Sequence, residues 1–481
     1  MRTASFSLPA GRAFVSAVVS VAALVASVGH AQTVRNAAVV LKEGDAILGS
    51  TVSSLGEPFT NGLGNVGFVY ATAAADRGIF IENSSIFDDT VQITYSGGEA
   101  TMGISDAGGF AYSPSVGGND SVVTHLGVLV SEGNAAPVTP AQFTSFASRP
   151  RMVANGSVAW IGGVANTAGG ATAARVMYLN RLPGDPANTS ELLRGGQTIS
   201  GATIAASGVT FTYDISDNAS QYVNVVTFTG STATDAAVIR NAGTIVMREG
   251  SPTGDGDNWQ GFGTVGVNDV GVWLVTGDTD GPTSSDTFVA IDGEIVLREG
   301  EFIDSGPVGS TISAASISQQ GKVAFIAVVG GVETLVTGKA DTLNAITAET
   351  LAQVGDLLDF NSDGVGDATL DNFLASNSVA PGLDLADDGR VFARCTITPT
   401  NGTPVDAIVR FSLPSACDSI DFNGDGLFPD DTDLIDFLSV LAGGPCSTNL
   451  CNDIDFNNDG LFPDDLDLLT VLLVLAGGLC E

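Results

Sequence analysis

The sequence predicts an all-β protein, a seven-bladed β-propeller built from repeats averaging about 54 residues, followed by a small α-helical calcium-binding module at the C-terminus. Three observations predict it. Short Val/Ile/Thr/Phe runs punctuated by Gly, Asn, Asp and Ser fill the chain from about Gln32 to about Phe411; two turn motifs recur in alternation; and an acidic segment near the end is duplicated. With 481 residues, 44% hydrophobic, 15% charged and 60 glycines, the chain is too apolar for disorder and long enough for a large core.

The N-terminus reads as a targeting segment. Arg2 and Arg12 precede an apolar run from Phe14 to Val28, and Gly29-His30-Ala31 offers small residues for cleavage after Ala31. A membrane anchor is the rival reading, but this run is shorter than the roughly 20 residues a span requires. Residues 1–31 are therefore expected to direct export and be removed, leaving 16 basic and 54 acidic residues, a formal charge of −38, and no membrane span. Such a surface repels nucleic-acid phosphates and anionic lipid heads, so no nucleic-acid partner is expected. Of the two histidines, His30 leaves with the signal; His125 alone cannot build His-rich zinc or HExxH chemistry.

The body, 32–412, shows strand periodicity throughout. Phe288 to Leu297 contains Asp292-Gly293 between two apolar runs, the signature of a type I′ hairpin turn. One recurring pattern is an Arg/Lys-Glu-Gly element after an apolar strand: Lys42-Glu43-Gly44-Asp45, Arg248-Glu249-Gly250 and Arg298-Glu299-Gly300, with relatives at Arg194-Gly195 and Val354-Gly355-Asp356. The other is a polar turn ending in Gly before a strand with an aromatic, as in Asn268-Asp269-Val270-Gly271 with Trp273, or Ser318-Gln319-Gln320-Gly321 with Phe325. The turn glycines assigned are Gly67, Gly108, Gly156, Gly208, Gly271, Gly321 and Gly389, which imply seven units. Small sheets that cannot bury both faces alone stack radially, hence the propeller; paired β-sandwiches and an irregular β-solenoid are the rivals.

These turns resemble a family of secreted bacterial proteins with tandem NxxGxxAF repeats and interchangeable C-terminal anchors. Asn268 holds the Asn position, and Ser318, Ala386, Ser105 and Val153 replace it elsewhere. The resemblance implies export and architecture, and brings no enzymatic activity with it.

Beyond Phe411 there is no Lys or Arg, against 13 Asp and one Glu. This C-terminal domain, 413–481, repeats itself at an offset of 34 residues: Asp421-Phe-Asn423-Gly-Asp425-Gly426-Leu427-Phe-Pro-Asp430-Asp431-Thr-Asp433 matches Asp455-Phe-Asn457-Asn-Asp459-Gly460-Leu461-Phe-Pro-Asp464-Asp465-Leu-Asp467. Each copy opens as D-x-N-x-D-G, the first half of an EF-hand-type loop, in which oxygens at positions 1, 3 and 5 converge on Ca²⁺ and Gly permits the sharp turn. The expected ligands are Asp421, Asn423, Asp425, the Leu427 carbonyl, Asp430 and Asp433, then Asp455, Asn457, Asp459, the Leu461 carbonyl, Asp464 and Asp467. Position 12 of the ordinary loop is Thr432 or Leu466 here, so each loop is read as one residue longer. Helices are expected from about Asp433 to Ala442 and from Asp467 to Ala476, with Leu434, Phe437, Leu438 and Leu441 forming the first apolar face and Gly-Gly pairs ending both.

The duplicated loop, following helix and C-terminal position resemble dockerins, the closest match being the cysteine-bearing GC-type with its Gly-Gly-Pro445-Cys446 and Gly-Gly-Leu479-Cys480 endings. The resemblance implies Ca²⁺ as cofactor and a cohesin-like or other surface receptor as partner. Equal spacings suggest disulfides Cys417–Cys446 and Cys451–Cys480, with a Cys417–Cys480 clasp as the rival, in keeping with export. Cys395 is expected to be a buried thiol.

A third D-x-N-x-D-G stands alone at Asp359, Asn361, Asp363 and Gly364, with Asp367 as a further calcium ligand and Asp371 as a last one. Thr124-His125-Leu126 is read as an apolar strand with a structural histidine, and no G-x-S-x-G elbow or phosphate loop stands in a strand-to-helix context. Asp255 and Asp257 beside Trp259 could flank a glycosidic bond, but a solvated loop is the favoured reading. The function expected is that of a non-catalytic binding or structural propeller, with a carbohydrate or protein ligand, anchored at the cell surface or in an extracellular assembly. The alternative is a carbohydrate-active enzyme for polysaccharide degradation, targeted by its tail.

Overall fold

The computed structural model describes residues 33–74, 77–82, 85–89, 102–116, 119–137, 142–146, 150–165, 173–241, 243–361, 364–374, 382–412, 420–424, 431–448, 451, 454, 456 and 465–475. The expected signal segment, 1–31, lies outside them.

Alternating apolar runs with Gly-rich turns form antiparallel meanders. The described strands make seven sheets, numbered here along the chain: sheet 1 (46–89), sheet 2 (102–131), sheet 3 (142–194), sheet 4 (198–248), sheet 5 (259–298), sheet 6 (302–353) and sheet 7 (357–412 with 34–42). Sheet 5 shows the pattern in its simplest form: Trp259–Val267, Trp273–Thr279, Thr287–Ile291 and Glu294–Arg298 pair in chain order. The last hairpin there turns at Asp292 and Gly293, φ 51° and 88°, as its Asp-Gly sequence demands.

The sheets close into a ring. Leading strands touch in sequence from Ala202–Ile215 to Trp259–Val267, to Gly306–Ile317, to Leu383–Leu385, to Phe59–Thr60 and on to Met102–Ile104. Seven apolar clusters repeat that order, each shared between two successive sheets; Val225, Val238 and Met247 of sheet 4, for example, pack on Trp259, Val275 and Phe288 of sheet 5. The ring is locked by its own ends: Val34–Lys42 pairs antiparallel with Val405–Ser412, Ala37 opposite Phe411 and Lys42 opposite Ala407. This is a β-propeller, in which radial stacking buries both faces of each sheet.

The two turn motifs have distinct jobs. The Arg/Lys-Glu-Gly element carries the chain from one sheet into the next. The amide of its glycine donates to the incoming leading strand, from Gly44 to Val52 O at 2.9 Å, Gly250 to Trp259 O at 2.8 Å and Gly300 to Val308 O at 2.7 Å. Gly196 and Gly355 do the same at their weaker relatives. The polar turn follows the leading strand. Its fourth residue donates to the carbonyl of its first at 61/64, 105/108, 153/156, 216/219, 268/271, 318/321 and 386/389. Two of the glycines assigned from sequence are therefore corrected. Gly67 lies inside the strand Val66–Thr72 and Gly208 inside Ala202–Ile215; the turn positions are Gly64, φ 74°, and Ala219, φ 56°.

Beyond the ring stand α1, Asp431–Leu441, and α2, Asp465–Leu475, each starting two residues before the expected position. Acidic Asp431 and Asp433 in the first turn of α1 suit the positive end of its dipole. Phe437 packs with Phe422, Phe456 and Val471, so the helices share one small core. Of the face expected for α1, Phe437 is buried but Leu438 is exposed. Gly443, φ 79°, ends the helix as expected; Gly477 and Gly478 lie outside the described residues.

The disulfide expectation is corrected. Cys446 bonds Cys451 across a five-residue separation, which rules out Cys417–Cys446 and Cys451–Cys480 together. The bond joins the two halves where one ends and the next begins. Cys417 and Cys480, the rival pair, lie outside the described residues. Cys395 is a free, fully buried thiol, and burial pushes its pKa well up.

Candidate functional site

The leading strands of six sheets converge on a cavity of about 70 Å³ at the centre of the ring, lined among others by Phe59, Arg151, Tyr213, Asp214, Ser316 and Asp384. By volume it has room for a few waters or a small ligand. The polar groups inside are committed to joining sheets. Arg151 of sheet 3 forms an ion pair with Asp214 of sheet 4, whose Oδ2 accepts the Val267 amide of sheet 5 at 2.8 Å. Asp384 of sheet 7 accepts the amide and hydroxyl of Thr60 in sheet 1 at 2.8 and 3.0 Å, and the hydroxyl of Ser316 in sheet 6 at 3.0 Å. Burial pushes the Asp214 carboxyl up, while Arg151 and the Val267 amide pull against it. Burial works against the charge on Arg151, but Asp214, Asp384 and Asp217 raise its pKa, so it stays cationic.

Sequence reasoning missed Arg151, Asp214 and Asp384. Each stands in or beside a leading strand without a motif, and only ring closure brings them together.

Neighbouring polar turns are hydrogen-bonded to one another. Position one of the turn, Asn61, Ser105, Asn268 or Ser318, accepts an amide four residues on at 2.9 to 3.1 Å. Position two reaches sideways. Asn218 N donates to Asp269 Oδ1 at 2.9 Å, Asp269 N to Gln319 Oε1 at 2.5 Å and Gln319 N to Asp387 Oδ1 at 2.8 Å.

The expected calcium ligands divide between described and undescribed residues. Asp421, Asn423, Asp433 and Asp467 are described, whereas Asp425, Leu427, Asp430, Asp455, Asn457, Asp459, Leu461, Asp464 and Asp363 lie outside the described residues. Asn423 and Asp433 meet at the start of α1, where the Asn423 amide approaches Asp433 Oδ1 at 3.4 Å. Asp433 is 2% exposed and its counterpart Asp467 0%, a degree of burial that a carboxylate tolerates only with donors or a cation around it. Asp436, unforeseen, accepts the Ser447 hydroxyl and the Asn423 side-chain amide at 2.5 and 3.1 Å. Among the described residues no group of three or more His, Cys, Asp or Glu is arranged to hold a metal.

In the lone loop Asp359 is buried and accepts the amides of Asn361 and Gly364 at 3.1 and 2.7 Å, while Asp367 accepts that of Phe360 at 2.8 Å. Asp371 stands on the strand Ala368–Phe373 with the Thr398 hydroxyl at 2.5 Å.

One other sequence reading is corrected, that of His125, while Asp255 and Asp257 stand in a loop. His125 is exposed in the turn between Asn119–Thr124 and Gly127–Ser131, outside any strand, because the chain reverses there. Asp255 and Asp257 form a corner around Arg298, at 3.1 and 2.9 Å. Asp257 also accepts Thr253 and Thr279 hydroxyls at 2.5 and 2.8 Å. Burial alone would raise the Asp257 pKa, but Arg298, Thr253 and Thr279 together outweigh it and hold it at about 2. A carboxyl depressed in the folded state stabilises above its unfolded pKa and loses that contribution as pH falls through the folded one. Asp257→Ala is expected to cost about 1–3 kcal/mol at pH 7 in urea unfolding, a difference that shrinks between pH 4 and pH 2.

Residues 119–354, from within sheet 2 to the end of sheet 6, match a family of unknown function (DUF7453). No curated protein matches the chain. Among solved structures it is similar to the Dos1 propeller, at 12% identity and TM-score 0.37 over 76% of this chain and 78% of that one. It is also similar to the dihydro-heme d1 dehydrogenase NirN, at 11% and 0.36 over 78% and 74%, and to a prolyl endopeptidase, at 12% and 0.39 over 78% and 50%. The chain spans half the length of that endopeptidase. At these values the fold assignment rests on the sheet order and closure of the chain itself. No described helix is long and apolar enough to cross a membrane.

Proposed function

We propose that the chain is an exported, non-catalytic propeller of seven blades, one per sheet, held at the cell surface or in an extracellular assembly by a calcium-dependent, dockerin-like C-terminal module. The observation that carries this reading is the near-complete burial of Asp433 and Asp467 at equivalent positions of two duplicated helices, in a segment without Lys or Arg. Carboxylate, amide and carbonyl oxygens at that spacing suit a hard cation that takes six to eight oxygen ligands. Bound there, Ca²⁺ would neutralise the loops and pin them to the helices. Ile435 and Leu438 on α1, and at the same offset Leu469 and Leu472 on α2, are exposed and form the apolar surface a receptor would cover.

The non-catalytic role is supported by the central cavity, where Asp214 and Asp384 spend their oxygens on inter-sheet bonds. A polysaccharide-degrading enzyme would need carboxylates free to act as acid and base. The test is fractionation of the producing cell: the chain is expected to stay with the surface fraction in millimolar calcium and leave it on chelation, and Asp433→Asn/Asp467→Asn to be released in both. Retention under chelation would overturn the anchor.

A further inference from the structure

We propose that the central cavity binds a small zwitterion, a free α-amino acid of the size of glycine or alanine, held between Arg151 and Asp384.

These two residues reach the cavity from sheets 3 and 7, which are separated around the ring by two sheets one way and three the other. The cavity thus receives a cation from one side of the ring and a carboxylate from the other. Thr212 of sheet 4 and Thr264 of sheet 5 line it as well, and Phe59 and Leu383 supply apolar wall. At its volume of about 70 Å³ the cavity takes about five to seven non-hydrogen atoms, on the scale of the space one water needs.

The groups left unbonded beyond those that join the sheets select the ligand. Arg151 gives one Nη to Asp214, and its other N–H groups have no partner among the described residues. With 29% of its side chain accessible, Arg151 is within reach of a ligand. Thr212 and Thr264 are 8% and 6% exposed, and neither hydroxyl has a hydrogen-bond partner among the described residues, although the Thr212 carbonyl and the Thr264 amide are both bonded. A buried hydroxyl without a partner is costly unless something in the cavity bonds it. Together these donors call for a carboxylate. On the far side, Asp384 Oδ2 accepts both the amide and the hydroxyl of Thr60, but Oδ1 accepts only the Ser316 hydroxyl and keeps a lone pair for an ammonium.

A carboxylate alone would meet Arg151 but also the repulsion of Asp214 and Asp384. An ammonium alone would meet Asp384 and leave the free N–H groups of Arg151 unbonded. A ligand that carries both groups a few bonds apart meets each side with the opposite charge. Such a site belongs to the ring alone and does not depend on the C-terminal module.

The test is calorimetry and thermal unfolding of the chain 32–481 with glycine, alanine, leucine, acetate and methylammonium as separate titrants. One glycine or alanine per chain is expected, with acetate and methylammonium at least about tenfold weaker because each satisfies one side only. Leucine, too bulky for the cavity, should not bind. Thr212→Val/Thr264→Val removes hydroxyls that bond no described protein group, so this variant is expected to fold and to bind glycine at least about tenfold more weakly. Neither heat nor a rise in Tm with glycine up to about 10 mM would overturn the proposal. So would acetate or methylammonium binding as tightly as glycine, which marks a plain anion or cation site, or leucine binding equally well. A folded variant with unaltered glycine affinity would overturn it too, and the titrations of the wild type decide the matter without the variant.

Discussion

Arg151→Met destabilises the propeller by about 3–5 kcal/mol at pH 7, because it leaves the Asp214 carboxylate buried at the ring centre without its counter-charge. Removing both partners is expected to be far milder. In Arg151→Met/Asp214→Leu no stranded charge remains, and the loss should fall below about 2 kcal/mol, giving a coupling energy that a double-mutant cycle reads directly. The single-variant loss should shrink in acid, where Asp214, already pushed up by burial, accepts a proton. Urea unfolding of the four chains checks this. A cost below about 1 kcal/mol for Arg151→Met would mean that water, not Arg151, solvates Asp214.

The second large effect concerns ring closure. A chain beginning at Glu43 lacks Val34–Lys42, so the strand Val405–Ser412 loses its antiparallel partner and the buried residues Ile408, Val409 and Phe411 lose cover. An unpaired apolar edge is a template for association. The truncated chain should therefore elute as oligomer or aggregate and lose its cooperative melt, and a synthetic peptide covering 33–43 should restore both. A monomeric chain melting within a few degrees of the full one would show that closure does not depend on this strand.

What the sequence made legible follows from how local each signal is. Strand alternation, the Asp292-Gly293 hairpin and the Arg/Lys-Glu-Gly links are encoded within a few residues. The turn at 216–219 was missed because Ala219 stands where a glycine was sought, and Gly208, eleven positions earlier, drew the assignment. The central cavity was illegible for a different reason. Arg151, Asp214 and Asp384 are separated by 63 and 170 positions and meet only when the leading strands converge. Cysteine spacing misled because duplication makes two equal intervals without fixing which sulfurs approach; Cys446 and Cys451, at the junction of the halves, are 5.9 Å apart at Cα.

The acidic C-terminal module is the most legible feature by motif, and its calcium dependence decides whether it can serve as the proposed anchor. The most direct test is calcium titration of the chain 32–481 by calorimetry, with circular dichroism followed alongside. Two sites assigned to the module are predicted, with a gain of helix and loss of both in Asp433→Asn/Asp467→Asn; heat that persists in that variant would belong to the Asp359 loop. No binding at millimolar calcium would contradict the calcium-dependent anchor and leave an acidic propeller without it.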